Sequence, residues 1–114
     1  MKNIKTLIDD FVINAVIQGK ATCDGDYKKA NKASKRLLQM SKVMEQDIQI
    51  AKQMLDVLLE HENINVRIWA SAIALDLNYK TKLAKETLIR ISQMPDAGIL
   101  GLNAEMSLKV RKPD

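Results

Sequence analysis

Apolar residues recur at intervals of three and four along nearly the whole chain, the period of an α-helix that buries one side. Between Asn3 and Ala21, the residues Ile4, Leu7, Ile8, Phe11, Val12, Ala15 and Val16 form one apolar face and predict a first helix. Gly19 weakens its end, and the polar run Thr22-Cys23-Asp24-Gly25-Asp26 stops it. Asp24 or Asp26 is placed to cap a second helix by accepting a hydrogen bond from a free backbone N–H. That helix spans Tyr27 to Met44, with Tyr27, Ala30, Ser34, Leu37, Ser41 and Met44 inward and Leu38 beside them. Small residues at Ala30, Ala33 and Ser34 let a neighbour approach closely.

A third helix, Gln46 to Glu60, carries Ile48, Ala51, Leu55, Leu58 and Leu59. No Gly or Pro separates Met40 from Ile48, so the second and third helices are either distinct or one bent rod. His61-Glu62-Asn63 interrupts the pattern, and Asn63 or Asn65 can cap a fourth helix through Leu77, containing Val66, Trp69, Ala70, Ile73, Ala74 and Leu77. A fifth runs from Tyr79 to Gln93 with Leu83, Ala84, Leu88 and Ile91 inward. Met94-Pro95-Asp96-Ala97-Gly98 breaks it, since proline resists continuing a helix. A sixth, Ala97 to Val110, presents Leu100, Ala104 and Leu108.

The later helices read as a repeated unit. Ala51, Leu55 and Leu58, moved on by 33 positions, fall on Ala84, Leu88 and Ile91, and Val66 and Ala70, moved on by 34, fall on Leu100 and Ala104. One such unit cannot cover its own apolar surface, so two must stack. The expected architecture is all-α: a single domain over 1–114, built as a short right-handed α-α superhelix of five to six helices. It divides into an N-terminal pair (1–45) that caps or extends the stack, and two repeat-like units (46–78 and 79–110).

Composition agrees with closely packed helices: 46% of residues are hydrophobic but only 4% aromatic, and there are four Gly and two Pro. The lone Cys23 excludes an intrachain disulfide. The N-terminal segment mixes Lys2, Lys5, Asp9 and Asp10 among its apolar residues, unlike a signal peptide. No apolar run approaches the roughly 20 residues that span a bilayer. A cytoplasmic protein without membrane attachment is the expectation. The net charge of +4 allows an anionic partner without requiring one.

The segment Leu58-Leu59-Glu60-His61-Glu62-Asn63-Ile64-Asn65-Val66-Arg67-Ile68-Trp69-Ala70-Ser71 resembles the junction of a HEAT-type repeat, in which Val-Arg follows an Asn- or Asp-containing turn and small residues come next. Together with Gly25 to Ala33 and Gly98 to Met106, nearly the whole chain resembles a small bacterial family of unknown function with HEAT-like helices. The resemblance implies a fold and no catalytic residues. It also implies that Arg67 bonds to an acidic or carbonyl group of the adjoining turn. Trp69 departs from the pattern, where a smaller residue is usual. Small helical proteins of this kind also occur as immunity proteins beside bacterial toxins, an analogy rather than a motif match.

No catalytic constellation emerges. His61 between Glu60 and Glu62 lacks the convergent ligands that a metal needs. Cys23 has only His61 as a conceivable partner and reads as a half-buried thiol at a helix end. The serines show no Gly-x-Ser-x-Gly turn, and Gly98-Ile99-Leu100-Gly101 lacks the third glycine and strand of a dinucleotide loop. Asp9, Asp10, Asp24 and Asp26 are ordinary caps and dipole partners before they are a cation site. No cofactor is implied.

The basic run is the feature most open to a function. Lys28, Lys32, Lys35 and Arg36 share one face of the second helix, with Lys42 further on and no acid between Tyr27 and Met44. A solvated outer surface is the ordinary reading; an anion-facing surface is the functional one. Arg67 and Trp69 complete the candidate partner-binding residues, since Arg and Trp are enriched in interface hot spots. The expected function is a non-catalytic protein-binding module, in its narrower form an immunity protein that neutralises a toxin domain. The alternative is a nucleic-acid-backbone binder using the Lys28–Lys42 face with Lys109, Arg111 and Lys112. A monomer or weak dimer is expected.

Overall fold

The computed structural model describes residues 3–111, and among them there are six helices and no strand. They are α1 (Ile4–Asp24), α2 (Tyr27–Gln46), α3 (Ile48–Leu58), α4 (Ile64–Asp76), α5 (Thr81–Ser92) and α6 (Ile99–Arg111).

Four helices begin with a side-chain cap that satisfies a backbone donor of the first turn. Asn3 accepts from Thr6 N–H at 2.8 Å, Asp26 from Lys29 at 3.2 Å, Asp47 from Ile50 at 3.3 Å and Asn63 from Val66 at 3.1 Å. Asp47 resolves the open question of the second and third helices. Its extended backbone ends α2 and its carboxylate starts α3, so they are separate. Gly25, at φ 78°, closes α1 in the left-handed conformation that glycine adopts without strain. The α4–α5 turn is built differently. Asn78 and Lys80 both take positive φ (57° and 48°), so α5 starts at Thr81 rather than Tyr79.

Helix α4 is buried on nearly every side, through Asn65, Val66, Ile68, Ala70, Ser71, Ala72, Ile73 and Ala74. A helix apolar all round belongs at the centre of its domain. The main core joins Phe11 and Ala15 of α1 to Leu37 and Met44 of α2, Leu55 and Leu58 of α3, and Val66 and Ala70 of α4. A second cluster of Ile68, Leu88, Ile91 and Ala104 lies between α4, α5 and α6, and Leu75 packs against both. The pairs related by the 33-residue shift, Ala51 and Ala84, Leu55 and Leu88, Leu58 and Ile91, are all fully buried.

Helix α1 does more than cap a stack. It packs along α2 and also meets α3, α4 and α6. Gly19 is the reason it can come so close to α4: a Cβ there would sit 2.8 Å from Asn65 Cβ. That glycine lies inside α1 and does not end it.

The inward face of α2 is rotated from the expected one. Ala30, Ala33, Leu37, Met40 and Met44 are buried, whereas Tyr27 is 76% and Leu38 53% exposed. The expected face shares Ala30, Leu37 and Met44 with the observed one, but Ala33 and Met40 take the core positions expected of Ser34 and Ser41. Ile48, Val16 and Leu83, also expected inward, remain partly exposed at the edges of their faces. None of the helices among the described residues is long and apolar enough to cross a membrane.

Candidate functional site

One groove holds Trp69 and has α4 as its floor. Helix α2 packs on α1 and α3, and α6 packs on α5 and α4, with at most marginal contact between α2 and α6. Between them the α4 residues Asn65, Ile68, Trp69, Ala72 and Ile73 form the floor, and of these Trp69 alone is half-exposed while the other four are buried. The groove holds about 410 Å³, with Leu38 and Ser41 of α2 on one wall and Asn103, Met106, Ser107 and Val110 of α6 on the other. Met106 is 49% and Val110 74% exposed, so both walls present apolar side chains to water.

Gln18 of α1 organises the floor. Its Oε1 accepts from Asn65 Nδ2 at 2.7 Å and from Trp69 Nε1 at 3.2 Å, while Asn65 Nδ2 also donates to the Ala15 carbonyl at 2.7 Å. Gln18 Nε2 in turn donates to Thr22 Oγ1 at 3.2 Å. Bonding at both ends of Gln18 and at the indole N–H fixes the half-buried Trp69 ring in one orientation. At the far end, Arg111 grips Asp76 with two N–H···O bonds of 2.8 and 3.1 Å. This pair ties α6 to α4 and leaves neither charge idle in the groove.

The basic face of α2 adjoins this groove. Lys28, Lys32 and Lys35 are exposed, as are Lys29 and Lys42. Among the described residues none of the five has a carboxylate within 4.0 Å. Lys28 and Lys29 occupy the first turn of α2, where the helix dipole disfavours cations. Arg36 is different: it is half-buried and forms a short ion pair with Asp10 of α1. It joins helices and is not part of the free stripe. Beyond it lies a second groove of about 400 Å³, lined by Leu7, Val43, Ile50 and the methionines 40, 44 and 54.

Arg67 does not reach the α4 groove and sits apart from Trp69. The bond expected from it to the adjoining turn is not made by its Nε, which is buried without a partner among the described residues, as is Ser71 Oγ. Of the six expected residues only Trp69 lines the α4 groove; Lys28, Lys32 and Lys35 stand exposed on α2, and Arg36 and Arg67 lie elsewhere.

His61 accepts from the Asn63 backbone N–H through Nδ1 at 3.0 Å, a turn-forming contact. Cys23 is exposed rather than half-buried. Asp9 pairs with Lys5, Asp10 with Arg36, and Asp24 with Lys20, while Asp26 caps α2. Among the described residues no group of three or more His, Cys, Asp or Glu is gathered as metal ligands.

One cluster was not foreshadowed by any local pattern. Tyr79 O–H donates to Asp56 Oδ1 at 2.6 Å, Lys80 Nζ pairs with the same oxygen at 2.8 Å, and the Lys52 and Lys80 ammoniums lie 5.7 and 5.6 Å from the Tyr79 ring centre. The bond from Lys80, then that from Tyr79, lowers the Asp56 pKa; the Asp56 bond raises those of Tyr79 and Lys80. The left-handed Asn78 and Lys80 aim these groups and pin the α4–α5 turn to α3. Gln18 was also missed, although a polar residue in register with Phe11 and Ala15 was a readable sign of a buried contact.

Comparison with known families, characterised proteins and solved structures finds no match to this chain. Its function has to be read from its own surfaces.

Proposed function

We propose that this chain is a non-catalytic protein-binding module whose recognition surface is the groove over α4. The observation that carries this reading is the groove over α4 in which half-buried Trp69 is walled by the exposed apolar side chains Leu38, Met106 and Val110. Water-exposed apolar walls around a fixed indole favour association, and a groove built on packed helices loses little freedom when filled. The ionisable side chains around it, Asp76 and Arg111, hold each other, so no acid, base and nucleophile converge there.

The narrower form is an immunity protein that covers a toxin domain, in a cytoplasmic setting consistent with the exposed free thiol of Cys23. Charge constrains the toxin: beside the lysines of α2 its contact surface has to be neutral or acidic.

The nucleic-acid reading is weakened by pairing. Arg111 is held by Asp76 and Lys109 by Glu105, while Lys112 lies outside the described residues, which leaves the α2 lysines alone. The test is capture from native lysate on the immobilised chain, with and without nuclease and at two salt concentrations. A stoichiometric protein that survives nuclease and moderate salt, and is lost with Leu38→Glu/Met106→Glu, supports the module. Recovery of nucleic acid alone, released by salt and by Lys32→Glu/Lys35→Glu, overturns it.

A further inference from the structure

Resting on that reading, we infer that the groove takes an amphipathic α-helix of the partner protein, with an acidic flank turned toward α2. Three observations lead there. First, every wall of the groove is a helix whose backbone groups are already bonded, so an extended peptide finds no strand edge to pair with. A helix brings its own backbone bonds and needs only side-chain contact. Second, the groove offers accessible apolar contacts at Trp69 on its floor and at Leu38, Met106 and Val110 on its walls, suited to anchors spaced three and four residues apart.

Third, charge sets the orientation and the chemistry of the flank. Leu38, on the α2 wall, lies three residues after Lys35 and four before Lys42, so the two ammoniums stand on either side of it on the helix surface. Both are exposed and neither has a carboxylate within reach among the described residues. The α6 wall carries no such free charge near the groove, since Arg111 is spent on Asp76. A bound helix with Glu or Asp along one edge satisfies the α2 side and leaves its other edge neutral.

The experiment selects a displayed library of random 16-residue peptides on the intact chain, with counter-selection on Leu38→Glu/Met106→Glu. Both replaced residues are half-exposed, and circular dichroism verifies that the variant folds. Enriched peptides are titrated against the wild-type chain by the emission of Trp69, its single tryptophan. The expected result is a set of sequences with apolar residues at i, i+3, i+4 and i+7 and acidic residues on one flank. They shift Trp69 emission, and bind about tenfold more weakly to Lys35→Glu/Lys42→Glu. Three results overturn the inference: basic or aperiodic peptides, binding indifferent to the lysine reversal, or no peptide that moves Trp69. A lysate partner whose hydrogen-exchange protection maps away from α4 overturns the helix-in-groove inference and the placement of the recognition surface, while leaving a protein-binding function standing; absence of any protein partner overturns both.

Discussion

Gly19→Ala is the most discriminating single change. On helix propensity alone it stabilises the interior of α1 by about 0.8–1 kcal/mol. The structure opposes this, because the new Cβ would meet Asn65 Cβ at 2.8 Å and its Cγ and Nδ2 at 2.9 Å. Asn65 cannot swing aside freely: it is buried, its Cβ moves only with the α4 backbone, and its amide is bonded to Ala15 O and Gln18 Oε1. Either α1 and α4 separate, or two hydrogen bonds of about 1 kcal/mol each are lost, with a further penalty for groups left buried. Overpacking of this kind costs about 1–3 kcal/mol. Set against the propensity gain, the net expectation is destabilisation by up to about 2 kcal/mol. Urea unfolding followed by circular dichroism reads it, and Trp69 emission reports separately whether its bond to Gln18 survives. In an Asn65→Gly background the clash is relieved, so Gly19→Ala should cost less there, with a coupling of about 0.5–3 kcal/mol. A Gly19→Ala chain that is more stable by the propensity increment would refute the close-approach argument.

Four further outcomes are expected. In a Tyr27→Phe background, the ultraviolet titration of Tyr79 has its midpoint above the ordinary phenol value of about 10, and Asp56→Asn moves it down. The contribution of neutral Tyr79 to stability is present below that ordinary value and lost as pH rises through the folded one. That of Asp56, whose pKa is lowered, is present above about 4 and lost as pH falls through its folded value, so the cluster is intact between these limits. Leu88→Ala costs about 2–5 kcal/mol, yet Trp69 emission and circular dichroism still report one transition, because Leu75 joins the two core clusters. Arg36→Ala costs up to about 1 kcal/mol in urea unfolding, as befits a half-exposed ion pair, and leaves peptide binding in the groove unchanged. Cys23 reacts stoichiometrically with a thiol reagent in the absence of denaturant, at the same rate in Leu38→Glu/Met106→Glu.

Helix number and boundaries were legible because caps and apolar spacing agree locally: Asn3, Asp26 and Asn63 act where the sequence placed a cap or a helix start. The rotation of α2 was not, since Leu38 and Met40 are equally apolar and only the position of α1 and α3 decides which is covered. The groove escaped for a related reason. It lies between α2 and α6, and spacing within one helix carries no information about a gap between two. Trp69 was visible as an anomaly, and the lysines as an unbalanced run. The contact of Arg36 with Asp10, 26 residues away, was beyond any local pattern.

The crossing of α1 over α4 also fixes an order of events during synthesis. Asn65 and Trp69 reach Ala15 and Gln18 across 50 and 51 residues of chain, so the α1–α2 hairpin emerges from the ribosome with its polar face unsatisfied. It must wait for α4. The wall made by Met106 and Val110 arrives later still, on the last described helix. A chain truncated before α6 lacks the Asn103, Met106 and Val110 side and keeps only half a groove.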